Sequence, residues 1–269
     1  MRCNEKLPTE KLILHNKNSE RICNLFSYGD DPLAIAYNVT KIQNWDKCKC
    51  PLFKSVFEDM TPVTTSELEQ KGYFTFNETS ILDELQSLHI PHSRRGVASL
   101  NVNINYLPNV QKFVQNFLTP RVRCYIGESM VQGTSTLLKL SRRNLTKSEY
   151  VSGMWHHDRC AKRVKCFMFL TDIDEESHPM RLVSHTHKQI YFDYSVFQLS
   201  RFTSEYALKN GKEVVFTGPA GHGFCFDTNS IHQGTLHGRK SRVTLITEFH
   251  SQSMKDTYAR LNVGAPFGK

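Results

Sequence analysis

The chain has no apolar run near the roughly eighteen residues a membrane-spanning helix requires, so no membrane span is expected. Met1 to Lys6 hold no apolar signal core. Ala265 to Lys269 form neither a peroxisomal nor a prenylation address. A soluble, cytoplasmic protein is the expectation. Cysteine is sparse: eight in 269 residues cannot make a disulfide scaffold. Cys166 and Cys225 lie within apolar runs and read as small buried residues. Cys48 and Cys50 are a close pair without the second matching pair that zinc requires. Internal repeats, low-complexity tracts and long basic runs are absent as well. The formal charge of +8 is scattered, and Arg142–Arg143 and Arg239–Lys240 are its densest pairs. It reads either as a solvated basic surface or as an electropositive mouth for a small anion. Without a basic run, nucleic acid is not the expected partner.

The pattern along the chain is of short extended pieces with a few helices. Residues 1–60 form a polar extension without clear periodicity. A helix is expected from about Ser66, capped by Thr64 or Thr65 and ending before Gly72. Pro108 to Leu118 should form a second, with Val110, Phe113, Val114 and Phe117 as its apolar stripe. Strands are expected over 121–126, 135–140, 165–170, 213–217, 223–227 and 242–249. Residues 190–210 read as a loop or helical insertion. Short strands broken by polar or glycine-containing turns suit a barrel or double-sheet β fold.

Within this pattern, Trp155-His156-His157-Asp158 is answered far downstream by His232 and then Arg242. Two imidazoles and one carboxylate are the protein ligands of a facial triad, which holds Fe(II) on one face and leaves the other open. If His156 to Asp158 is extended, strand alternation points His156 and Asp158 to one side and His157 to the other. With twelve histidines in the chain, His185, His187, His222, His237 and His250 compete for the third place. His232 is preferred because an arginine follows it, ten residues on, at the start of an apolar strand. Arg242, Thr244, Ile246 and Glu248 share one face of that strand. A buried arginine needs an anionic partner. Either Glu248 supplies it, or a bound keto acid does through a forked, charge-assisted pair.

These residues resemble the phytanoyl-CoA dioxygenase family of Fe(II)/2-oxoglutarate-dependent oxygenases. The resemblance runs over roughly 60–250 and rests on Trp155 to Arg159, Lys165 to Asp174, Pro179 to His185, and Gly223 to His232 with Arg242. The rim loop departs from it, reading Val183-Ser184-His185-Thr186-His187 where the family has Pro-Gly-Ser-His. The resemblance implies a mainly β fold with flanking helices around a double-stranded β-helix (jelly-roll, cupin-like) core. It implies one oxygenase domain over 1–269, with 1–60 a divergent extension and about 61–250 the core. His156, Asp158 and His232 would bind Fe(II), and Arg242 the distal carboxylate of 2-oxoglutarate, with Thr244 beside it. Asn144 reads as a further cosubstrate contact or as a turn residue. The implied reaction uses O2 to hydroxylate an unactivated C–H bond of a small organic substrate, anionic in keeping with the charge, and releases succinate and CO2. Desaturation, cyclisation or epimerisation in specialised metabolism would need the same residues. A non-catalytic ligand-binding jelly roll would be expected to have lost a ligand or the arginine.

Overall fold

The computed structural model describes residues 13–14, 66–127, 129–158, 163–187, 189–190, 202–209 and 211–252. Apart from 13–14, the extension over 1–60 lies outside the described residues, as do Cys48, Cys50 and most of 190–210.

Helix α1 (Glu67–Lys71) begins at Ser66, whose Oγ accepts from the Glu69 N–H at 3.2 Å. The cap is therefore Ser66 itself, not Thr64 or Thr65. The helix ends at Gly72, in the left-handed region at φ 85°, which returns its N–H to Leu68 O. Strand β1 (Tyr73–Asn77), helix α2 (Leu82–Gln86) and strand β2 (Val97–Val102) follow. Helix α3 (Pro108–Phe113) runs through a π turn, Val114–Leu118, into α4 (Thr119–Ile126). Residues 121–126, expected as a strand, are thus helical. Their β-branched and aromatic side chains suggest a strand, yet Val122, Tyr125 and Ile126 recur at helical spacing and extend the buried stripe of Val110, Val114 and Leu118.

Besides a short parallel pair, Ile13–Leu14 with Gln189–Ile190, the remaining strands are β3 (Met130–Leu140), β4 (Arg163–Phe169) and β5 (Met180–Val183); after helix α5 (Ser204–Lys209) come β6 (Glu213–Phe216), β7 (His222–Asp227), β8 (His232–Gly234) and β9 (Arg242–Ser251). They make a six-stranded sheet of order β1-β7-β4-β9-β3-β2 and a three-stranded sheet of order β8-β5-β6, both antiparallel.

Alternation along β4 shows how the layers assemble. Val164, Cys166 and Met168 pack outward with the α3–α4 stripe, while Phe167 and Phe169 pack inward with Met180, Leu182, Phe216, Phe224 and Phe226. Odd-numbered positions of β4 and even-numbered positions of β9 therefore line the space between the sheets. Cys166 and Cys225 are buried as expected, but they are not separate thiols. The β4–β7 register sets them directly opposite, and they form a disulfide with Cα atoms 3.9 Å apart.

Candidate metal centre

His156 and His232 meet across a two-way backbone bridge. Each N–H donates to the other's carbonyl, at 2.9 Å from His156 and 2.7 Å from His232. Their rings lie 4.2 Å apart between centroids. The Asp158 N–H donates to Thr228 O at 2.8 Å, which ties the His-x-Asp segment to the turn leading to β8. The two imidazoles and the Asp158 carboxylate then converge, with one candidate ligand atom of each within 4.8 Å of the others. Asp158 Oδ1 is 3.7 Å from His156 Nε2 and 3.9 Å from His232 Nε2.

The imidazole orientations are set locally. His156 Nδ1 lies 2.7 Å from Met154 O, and His232 Nδ1 lies 2.7 Å from Ser230 O. A carbonyl only accepts, so each Nδ1 carries the hydrogen and each Nε2 presents a lone pair to the centre. Asp158 Oδ2 takes a 2.7 Å hydrogen bond from Lys165 Nζ, and Arg163 Nη1 stands 3.6 Å away. Burial raises the Asp158 carboxyl's pKa. The cations Lys165 and Arg163, together with the imidazoles of His232 and His156 beside the carboxylate, outweigh it and hold the group well below the usual carboxylate range.

The competing histidines lie elsewhere. His187 Nε2 is 3.0 Å from Glu69 O, and His185 Nδ1 is 3.2 Å from Ser184 Oγ. His222 begins β7, at the other end of that strand from Asp227, and His250 is buried late in β9 beside Gly133. His157 is buried and stacks on Phe202, with 5.9 Å between ring centroids. Among the described residues, His156, Asp158 and His232 are the one group of this type that could hold a metal. The chemistry of the donors, two neutral imidazoles and an ionised carboxylate, suits a divalent first-row metal.

The turn over residues 227–231 holds two of the three side chains. Thr228 O receives the Asp158 N–H and Ser230 O receives the His232 ring hydrogen. Buried Asp227 anchors the turn, its Oδ1 accepting from Asn229 N at 2.8 Å and its Oδ2 from the Tyr125 hydroxyl of α4. Burial, then the charge of Asp227, push that phenol well above its ordinary pKa.

Arg242 is completely buried at the start of β9. Glu248, the carboxylate expected as its alternative partner, bonds Arg163 Nη2 at 2.6 Å, with Lys165 Nζ at 3.8 Å. Among the described residues no carboxylate pairs with Arg242. Its Nη1 donates to His178 O and its Nη2 to the Tyr150 hydroxyl at 3.0 Å, while Nε finds no partner. Thr244, two residues along the same inward face, is fully buried with its hydroxyl likewise unpartnered. Those orphaned polar atoms beside an unpaired guanidinium fit an anion. The arginine lies close to the triad, because its partner Tyr150 packs against Gly234, where a Cβ would collide with the phenol oxygen. Gly234 is two residues from His232 on β8, about 7 Å along a strand.

Tyr150, His178 and Lys165 carried no sequence signal for these positions. The structure places Asn144 in an exposed loop, its Oδ1 accepting from Gly238 N at 3.2 Å. Of the basic pairs read as an electropositive mouth, Arg143 faces Glu149, Arg239 faces Glu176 and Lys240 faces Asp174. Those positive charges are locally balanced, and the solvated-surface reading describes them better. A cavity of about 300 Å³ lined by Phe169, Phe216, Phe224 and His222 lies toward the start of β7, away from the triad.

No family model matches the chain, and no curated protein matches it. Solved structures do. The apo form of EctD from S. alaskensis is 14% identical, covering 69% of this chain and 75% of its own, with a TM-score of 0.51. AviO1 from Streptomyces viridochromogenes Tue57 is 14% identical, covering 70% and 93%, with a TM-score of 0.51. SnoN, a non-haem α-ketoglutarate-dependent epimerase from nogalamycin biosynthesis, is 10% identical, covering 75% and 84%, with a TM-score of 0.50. This chain shares their fold. It is the mainly β jelly roll expected from the sequence, with helices packed against the larger sheet.

Proposed function

We propose that the protein is an Fe(II)- and 2-oxoglutarate-dependent dioxygenase, related to the phytanoyl-CoA dioxygenases, that hydroxylates a C–H bond of a small organic substrate. The observation that carries this is the pairing of two features in one fold: a His-Asp-His cluster and, beside it, a buried arginine with no carboxylate partner among the described residues. His156, Asp158 and His232 would hold the iron, and Arg242 with Thr244 the distal carboxylate of the keto acid. When bound, iron with 2-oxoglutarate supplies oxidation by O2, releasing succinate and CO2. The chain's own part is to bind and orient. Lys165 holds one carboxylate oxygen of Asp158 away from the histidines, so Asp158 offers them the other. The two backbone carbonyls fix both imidazole tautomers.

SnoN, which shares the fold, is an epimerase; desaturation, cyclisation or epimerisation here would use these same residues. The test is anaerobic titration of the purified protein with Fe(II) and then 2-oxoglutarate, followed by succinate measurement in air. One metal per chain, saturable keto-acid binding and succinate formation are expected. Metal binding without any affinity for 2-oxoglutarate would overturn the assignment and leave a metal-binding jelly roll.

A further inference from the structure

We propose that Tyr150 is a third binding residue for the distal carboxylate, donating its phenolic hydrogen to the anion while accepting one from Arg242; this rests on the 2-oxoglutarate reading above. Tyr150 is 8% exposed, and its oxygen lies 3.0 Å from Arg242 Nη2. A guanidinium only donates, so the phenol is the acceptor in that contact and keeps its own hydrogen. Among the described residues nothing accepts that hydrogen. The Nε–H of Arg242 and the hydroxyl of Thr244 also lack partners. Three buried donors without acceptors are therefore grouped around the start of β9. A carboxylate has lone pairs for all of them.

The surrounding chain holds the phenol in place. Tyr150 follows a turn in which Glu149 accepts from Thr146 N at 2.8 Å and from Arg143 Nη2 at 2.6 Å. On the other side the ring oxygen occupies space that any side chain at position 234 would fill. Leu140 and Leu145 pack with the ring in one cluster. A tyrosine needed only for bulk would not require its oxygen in that gap.

Tyr150→Phe keeps the ring and removes the donor. Anaerobic Mn(II)-loaded parent and variant are titrated with 2-oxoglutarate and with 2-oxopentanoate, which keeps the keto-acid end but has a methyl group in place of the distal carboxylate. The expected result is 2-oxoglutarate binding about 10- to 100-fold weaker, the usual range for a hydrogen bond to a charged group, with 2-oxopentanoate unchanged. An unchanged 2-oxoglutarate constant, or an equal loss for both acids, overturns the proposal; the second result would make Tyr150 a packing residue.

A second variant, nearly isosteric, separates donation from mere support of Arg242. Fluorotyrosine at position 150, at a pH where the phenol stays neutral, is a stronger donor and a weaker acceptor. Tighter 2-oxoglutarate binding is expected; weaker or unchanged binding would mean that the phenol serves only as an acceptor for Arg242. If the parent itself binds no 2-oxoglutarate, the functional assignment fails first, and that outcome is distinct from either result with the variants.

Discussion

Replacing Arg242 with Met separates cosubstrate binding from folding. In the parent, a fully buried guanidinium donates to His178 O and the Tyr150 hydroxyl but faces no carboxylate among the described residues. Burying a charge without a counter-ion costs several kcal/mol, and hydrophobic replacement of buried ionic groups is often neutral or stabilising by about 1–4 kcal/mol. Against this, His178 O loses its donor, at about 1–3 kcal/mol. The ligand-free melting temperature should therefore change little. Ligand binding should change a great deal. Truncating one partner of a buried charge pair costs about 2–5 kcal/mol, or roughly thirty- to several-thousand-fold in affinity. At 100 times its dissociation constant, 2-oxoglutarate stabilises the parent by about 2.7 kcal/mol, which raises its melting temperature by roughly 5–10 °C. The same concentration should move the variant by no more than about a third as much. The assay is a thermal melt of Mn(II)-loaded protein with and without 2-oxoglutarate, alongside calorimetric titration. Equal ligand-induced shifts in parent and variant would refute the reasoning. So would a melting temperature that fell by many degrees while the dissociation constant held, because Arg242 would then be a scaffold residue.

His156→Ala and His232→Ala should each abolish Fe(II) binding and succinate formation, whereas His157→Ala should keep the metal; metal analysis after anaerobic reconstitution checks this. Gly234→Ala would push the Tyr150 oxygen aside and should raise the KM for 2-oxoglutarate at least several-fold while Fe(II) affinity holds, as read from steady-state kinetics and metal titration. Glu149 is held at about 2, first by its hydrogen bond to Arg143 and then by Thr146. Because that pKa is depressed, the stabilisation is fully present above the ordinary glutamate value and is lost as pH falls toward about 2. Urea melts should therefore show the parent more stable than Glu149→Gln near pH 7 and the difference disappearing at about pH 2. A difference independent of pH would assign the effect to something other than this carboxylate.

The grouping of His156, Asp158 and His232 was legible in the sequence because much of its signal is local. His-x-Asp in extended chain puts two donors on one side, and Arg242 with Thr244 follows the same alternation along β9. What surrounds those residues was not legible, because it comes from packing between distant segments. Tyr150 and His178 meet Arg242 from 92 and 64 residues away, and neither lies in a periodic run that points to it. The disulfide depends on the β4–β7 register, which hydrophobic pattern alone does not specify. Residues 121–126 misled because Val122, Tyr125 and Ile126 favour strands by type, while their helical spacing becomes decisive only once a sheet is there to cover. The alternative partner for Arg242 failed for a similar reason: Glu248 shares its face but lies at the far end of β9, within reach of Arg163 and Lys165.

Both histidines of the cluster are tied by Nδ1 to the carbonyl two residues back, at Met154 and Ser230. The chain thus uses the same short-range device twice, and neither tether passes through the metal position. A proton that takes the place of metal at Nε2 leaves the tether intact, since Nδ1 already carries its hydrogen. If the centre holds iron as proposed, acid would empty it without releasing the rings. Mild acid should strip the metal from a protein that stays folded and takes it back on neutralisation, as a reversible exchange of protons for cation at ligands that do not move.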